Sequence, residues 1–94
     1  MSDFVGEWRT VWTGGTSSRV AVIINSDGSG SFTREQGDVK GSLNGTFQGH
    51  AYYGKWGQTN GDWGTFNLAL TSPKTFDGTW ADHLHVEGRW TGEK

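Results

Sequence analysis

A glycine stands two residues ahead of an aromatic ring eight times in this 94-residue chain. The pairs are Gly6-Trp8, Gly30-Phe32, Gly45-Phe47, Gly54-Trp56, Gly61-Trp63, Gly64-Phe66, Gly78-Trp80 and Gly88-Trp90. A random order of the same residues gives about two such pairs. In an extended strand, residues i and i+2 point to the same face, so each pair sets a gap and a large ring side by side. A ring on the next strand can lie across the gap, and glycine permits the sharp coiling that a small closed sheet needs. The copies are irregularly spaced, which excludes a solenoid or propeller array. One local device is reused on successive strands.

Turn residues separate the copies. Strands are expected near 4–13, 18–25, 29–35, 39–47, 51–57, 62–71, 75–81 and 85–92. The breaks are Gly14-Gly15-Thr16, Ser26-Asp27-Gly28, Gln36-Gly37-Asp38, Gly49-His50, Thr59-Asn60-Gly61, Ser72-Pro73-Lys74 and Asp82-His83-Leu84. These are residue types that hairpin turns demand. Asn44-Gly45 is a hairpin signal too, and a turn there would split the fourth strand. Alternation fits the strand reading. Val39, Gly41, Leu43, Gly45 and Phe47 share one face. So do Gly64, Phe66, Leu68 and Leu70, then Phe76, Gly78 and Trp80, and finally Val86, Gly88, Trp90 and Gly92. No helical period runs for a useful length, so no helix longer than about one turn is expected.

The expected fold is all-β: an antiparallel up-and-down meander of about eight strands, closed into a barrel over residues 1–94 as a single small domain. Closure removes the two raw edges of a meander, and a two-sheet sandwich is the competing solution. Only 32% of residues are hydrophobic, but six Trp, five Phe and two Tyr offset the shortage of aliphatic side chains. Each such ring can bury about 150–250 Å².

Composition also narrows the function. The formal net charge is −2, and the eight basic residues are scattered among the acids. With no basic stripe, no nucleic-acid partner is expected. There are no cysteines, so disulfides, thiolate metal sites and cysteine nucleophiles are excluded. No segment has the run of about 18 apolar residues that a membrane helix needs, and no membrane partner is expected. Met1-Ser2-Asp3-Phe4 has neither the basic start nor the apolar run of a signal peptide. A cytoplasmic location is therefore expected, with a removed leader left open.

The start, Asp3-Phe4-Val5-Gly6-Glu7-Trp8-Arg9, resembles the first strand of fatty-acid-binding proteins. Its Gly6-x-Trp8 core resembles the lipocalin signature and the first strand of avidin-like proteins. The resemblance spans seven residues and implies a calycin-like meander barrel with one end closed by Trp8. The chain is shorter than a lipocalin and lacks the helices of those families. Arg9-Thr10-Val11-Trp12 stands where avidin-type biotin contacts would begin, so the resemblance transfers no ligand.

Three constellations could carry chemistry. The first is the inward face, where Trp8, Trp12, Phe32, Phe47, Trp56, Phe66, Trp80 and Trp90 either fill the barrel or wall a small pocket at one mouth. Thr10 and Arg34 share that face and are the polar groups expected at such a mouth, with Arg34 facing an anionic group or snorkelling at the rim. The second is Asp82-His83-Leu84-His85 with His50. His83 and His85 are spaced to meet one metal from a strand, but nothing in sequence supplies a third ligand, so no metal is expected. The third is Tyr52, Tyr53, Trp56, Gln58, Asn60, Asp62 and Trp63, rings and amides that suit a sugar or a protein surface.

The reading that follows is a non-catalytic binding protein holding a small apolar or aromatic ligand in an aromatic-lined barrel mouth. Its expected ligand contacts are Trp8, Thr10, Trp12, Arg34, Tyr52, Trp56, Trp80 and Trp90, and no cofactor is expected. The alternatives are a protein-binding module or inhibitor acting through exposed Trp and Tyr, which includes a homo-oligomer, then carbohydrate binding, then a small barrel enzyme. A barrel axis packed solid by these rings, with no opening, would end the first reading.

Overall fold

The computed structural model describes residues 2–14, 18–35 and 39–94. Eight strands follow in order: β1 (Gly6–Trp12), β2 (Ser18–Ile24), β3 (Ser29–Arg34), β4 (Lys40–Gln48), β5 (Ala51–Gln58), β6 (Trp63–Ser72), β7 (Thr75–Asp82) and β8 (Glu87–Glu93). Each pairs antiparallel with the next, and β8 returns to β1 through Arg9–Glu93 to Trp12–Trp90, so the sheet is a closed barrel. Closure decides against the sandwich. No helix forms among the described residues. The expected breaks at Gly15-Thr16 and Gln36-Gly37-Asp38 lie outside the described residues.

The alternation in sequence becomes the inside and outside of the barrel. On β2, Ser18, Val20, Val22 and Ile24 are buried while Arg19, Ala21 and Ile23 are exposed. On β6, Gly64, Phe66 and Leu68 are buried between exposed neighbours.

The register explains the glycines. Directly across a strand pair, six inward rings each face a glycine: Phe32 faces Gly41, Phe66 faces Gly54, Trp56 faces Gly64, Phe76 faces Gly92, Trp80 faces Gly88 and Trp90 faces Gly78. Opposed residues on one face of a sheet sit close enough for their side chains to compete for the same space. Because glycine yields that space, the ring can lie over the neighbouring strand. A β-carbon at Gly92 would run into the Phe76 ring and the Thr10 methyl group, and one at Gly41 would run into the Phe32 ring.

The fourth strand runs through Asn44-Gly45 as expected, with Asn44 opposite Lys55 and Gly45 opposite Gly54, and the competing turn does not form. Gly45 is needed there for space, since a β-carbon would strike the Tyr52 ring. Val86 is not on an inward strand face. Asp82 Oδ1 accepts from the backbone N–H of both Leu84 and Val86, at 2.9 Å each, which holds 83–86 as a turn and starts β8 at Glu87. Phe4, expected at the head of the first strand, precedes β1 and is fully buried.

The core is a column of touching rings. At the end where the chain begins, Phe4 packs on Trp8, Phe47, Tyr52 and Phe76 with centroids 5.5–6.3 Å apart. Trp90, with no exposed surface, occupies the middle against Phe32, Phe66 and Phe76. Trp12 lies above it and touches Phe32, Trp56, Trp80 and Trp90 at 5.0–5.6 Å.

Gly92→Ala should lower stability by about 1–3 kcal/mol, the usual cost of overpacking. Gly57→Ala, whose β-carbon would meet nothing within 4 Å, should change it by less than about 0.5 kcal/mol. Urea unfolding of the two variants beside the parent measures both.

Candidate functional site

The expected site residues divide between the two ends of the barrel. Trp8 and Tyr52 sit at the end that Phe4 fills, and their polar atoms are used. Trp8 Nε1 donates to the Phe4 carbonyl at 2.7 Å, and the Tyr52 hydroxyl donates to the Gly28 carbonyl at 2.7 Å. Lys94 closes the same end, its ammonium 4.8 Å above the Trp8 ring and donating to the Asp3 and Val5 carbonyls. Thr10 is buried on the wall and donates to the Val20 carbonyl at 2.7 Å. These three residues are therefore held by the fold and stand apart from the opposite mouth.

Trp12, Arg34, Trp56 and Trp80 come together at the other end, with Trp90 beneath Trp12 in the middle of the barrel. Trp12 ends β1 and Arg34 ends β3, so both reach the rim. The Arg34 guanidinium lies over the Trp12 ring, 5.5 Å from its centroid. One of its terminal nitrogens donates to Ser18 Oγ at 2.8 Å and the other makes a long contact of 3.5 Å with Gln58 Oε1. Trp56 Nε1 donates to the Thr65 carbonyl at 3.1 Å and Trp80 Nε1 to the Thr13 carbonyl at 3.0 Å.

Three buried nitrogens of Trp12 and its neighbours have no acceptor among the described residues: Trp12 Nε1 and Arg34 Nε at this end, and Trp90 Nε1 beneath them. Each such group costs about 1–3 kcal/mol relative to one that keeps a partner. Buried polar groups without partners are rare enough in folded proteins that each asks for a reason. All three belong to one group of touching side chains, because Trp12 meets Trp90 edge-on and also meets Arg34.

Among the described residues the rings touch along the barrel axis. Three depressions lie on the outer wall. One runs between Tyr53, Lys55, Thr65, Asn67, Thr79 and Glu87. Another runs between Arg9, Val11, Arg19, Thr33, Glu35 and Glu93. The third lies over the turn at Asp27 and Ser29.

The other two constellations come apart. His50 lies in the β4–β5 turn, at the opposite end of the barrel from the β7–β8 turn that carries His83 and His85. The His83 ring stacks on Trp63 at 5.2 Å, and His85 takes a positive φ of 65° in its turn. Among the described residues no three His, Asp or Glu side chains group as metal ligands. The sugar-like set is split by strand alternation: Tyr52 and Trp56 face inward, whereas Tyr53 and Trp63 are exposed. Asn60 Oδ1 is occupied by the Asp62 N–H at 3.0 Å. Gln58 turns inward to Arg34 instead.

Sequence reasoning missed Ser18, which anchors Arg34. The signal was present, because Ser18 is a lone hydroxyl on the face shared by Val20, Val22 and Ile24.

No protein-family model matches the chain, and no curated protein matches it. Solved structures do resemble it. A redesigned β-barrel is 13% identical over 98% of this chain and 91% of its own, with a TM-score of 0.81. A second redesigned β-barrel, bound to DFHBI, is 13% identical over 98% of this chain and 95% of its own, with a TM-score of 0.78. A de novo designed fluorescence-activating β-barrel is 15% identical over 100% of this chain and 99% of its own, with a TM-score of 0.74. At these identities the likeness is one of fold: a small eight-stranded antiparallel barrel.

Burial pushes the Tyr52 phenol up to about 12 from 10.0, with the charge of Asp27 adding to the shift. The folded state thus favours the neutral phenol. That contribution to stability is complete below pH 10 and is lost as pH rises towards 12. Tyr52→Phe should cost about 1 kcal/mol at pH 7, the net worth of one hydrogen bond. It should also flatten the alkaline loss of stability, measured by urea unfolding across that pH range.

Proposed function

We propose that this chain is a non-catalytic binding protein that takes a small apolar or aromatic ligand at the Arg34 end of its barrel. The observation that carries the reading is the contrast between the two ends. At the Phe4 end the indole of Trp8 and the phenol of Tyr52 are both satisfied from within. Around Trp12, towards the Arg34 end, two indole N–H groups and a guanidinium nitrogen are buried without acceptors among the described residues. An end complete in itself is structural, and an end with spare donors beside an arginine suits a ligand. The solved neighbour that binds DFHBI gives the reading a precedent on the same fold.

The rings already fill the axis, so the ligand is held at the mouth. It enters when the guanidinium leaves the face of Trp12. Its surface then rests on Trp12, Trp56 and Trp80, where aromatic walls supply most of the contact area and a few polar groups fix orientation. The calycin-like start belongs to the same reading: Phe4 and Trp8 seal one end and leave the other for binding.

A second reading is favoured by one observation. Trp63, Leu84 and Val86 are 55%, 70% and 45% exposed at the rim where β6 starts and the β7–β8 turn lies. Such a patch suits a protein contact, a second copy of this chain included. Light scattering on the parent and on Leu84→Ser examines it, and a concentration-independent monomer for both tells against self-association.

The main reading predicts a saturable change in tryptophan emission on titration with small aromatic molecules. Trp12→Leu should weaken binding about tenfold or more, as loss of a buried aromatic anchor does. Trp8→Phe, at the closed end, should leave it within about twofold, since residues distant from a site act independently of it. A flat titration across neutral and anionic aromatics would contradict the reading.

A further inference from the structure

We infer that the ligand of the Arg34 end is a short, planar aromatic anion, whose carboxylate or phenolate oxygen accepts from the spare donors there. The inference rests on the proposed binding at that mouth and adds the chemical class of the ligand. Three features support it.

The first is the kind of groups left over. Trp12 Nε1, Trp90 Nε1 and Arg34 Nε are all donors. An indole nitrogen donates only, and a guanidinium offers five N–H donors and no acceptor. A ligand bringing further donors would leave the deficit as it is. A ligand bringing oxygen lone pairs would fill it, and a carboxylate has about four lone-pair sites on two oxygens.

The second is charge. Arg34 is held by two neutral groups, Ser18 Oγ and Gln58 Oε1. The single ion pair among the described residues, Arg89 with Asp77, is on the outer wall. Arg34 therefore has no carboxylate partner among the described residues. Arginine is the side chain best suited to hold a carboxylate through two parallel hydrogen bonds.

The third is shape. The Arg34 guanidinium carbon lies 5.5 Å from the centroid of the Trp12 ring, so a ligand taking that place would rest against an indole. A flat ring suits contact with an indole face. A long alkyl chain does not fit, because Trp90 and the rings beneath it leave no channel along the axis. This sets the expected ligand apart from a fatty acid threaded through a barrel.

Benzoate, benzamide and dodecanoate are the probes, added to the 15N-labelled full chain and followed through the indole N–H resonances. Benzoate should shift the Trp12 and Trp90 signals and leave that of Trp8, already bonded to Phe4, unmoved. Benzamide, a neutral molecule of the same shape, should bind about tenfold more weakly or worse, as loss of a charge-assisted hydrogen bond implies. Arg34→Gln, checked for folding by circular dichroism, should abolish the preference.

Equal affinity for benzoate and benzamide would overturn the anionic assignment and leave the binding reading standing. Tighter binding of dodecanoate than of benzoate would overturn the short, planar assignment. Failure of benzoate and benzamide alike, together with the flat titration described above, would remove both. The comparison of the first two probes uses the parent chain, so it decides the matter even where the variant does not fold.

Discussion

The barrel depends on one contact, an inward aromatic ring laid across a glycine on the adjoining strand. An eight-stranded barrel has an interior just wide enough for side chains. Filling it with tryptophan and phenylalanine on every strand would overcrowd it, and filling it with small residues would leave voids. Setting a ring opposite a glycine at six cross-strand positions solves both problems. It also explains how a chain with 32% hydrophobic residues builds a continuous core. Each ring buries the area of several aliphatic side chains, and the glycines that admit the rings also permit tight curvature.

The same packing divides the barrel into two unlike ends. Near Phe4 every large polar ring finds a backbone carbonyl, because the chain ahead of β1 and the turn at Gly28 fold over the opening. Near Arg34 the rings are as closely packed, the guanidinium lies over Trp12 on a hydroxyl and an amide, and three buried donors have no acceptor among the described residues. The proposed binding rests on that difference between the ends.

The fold was largely legible in sequence because alternation and turn chemistry are local. Val39, Gly41, Leu43, Gly45 and Phe47 declare an inward face without reference to any other strand. Asn44-Gly45 stayed ambiguous for the same reason: as a dipeptide it signals a turn, and only Tyr52 on the next strand shows why the glycine is needed for space. The site was legible in part. Strand parity put Trp12, Arg34, Trp56, Trp80 and Trp90 inside, but parity says nothing of height along the axis. Trp8 and Tyr52 therefore looked equivalent to Trp12 and Trp56, although they occupy the closed end. Nor could sequence show which nitrogens lack acceptors, since Trp80 Nε1 is satisfied by Thr13, a residue 67 positions away.

The most direct test of the central contact is a double-mutant cycle at Phe76 and Gly92, read by urea unfolding of the parent, Phe76→Leu, Gly92→Ala and the double variant. If the ring fills the space that the glycine leaves, the smaller side chain relieves the added methyl. The double variant should then be more stable than the sum of the two single losses implies, by about 1 kcal/mol or more. Additive losses, within about 0.5 kcal/mol, would contradict the account. They would mean that ring and glycine stabilise the barrel independently.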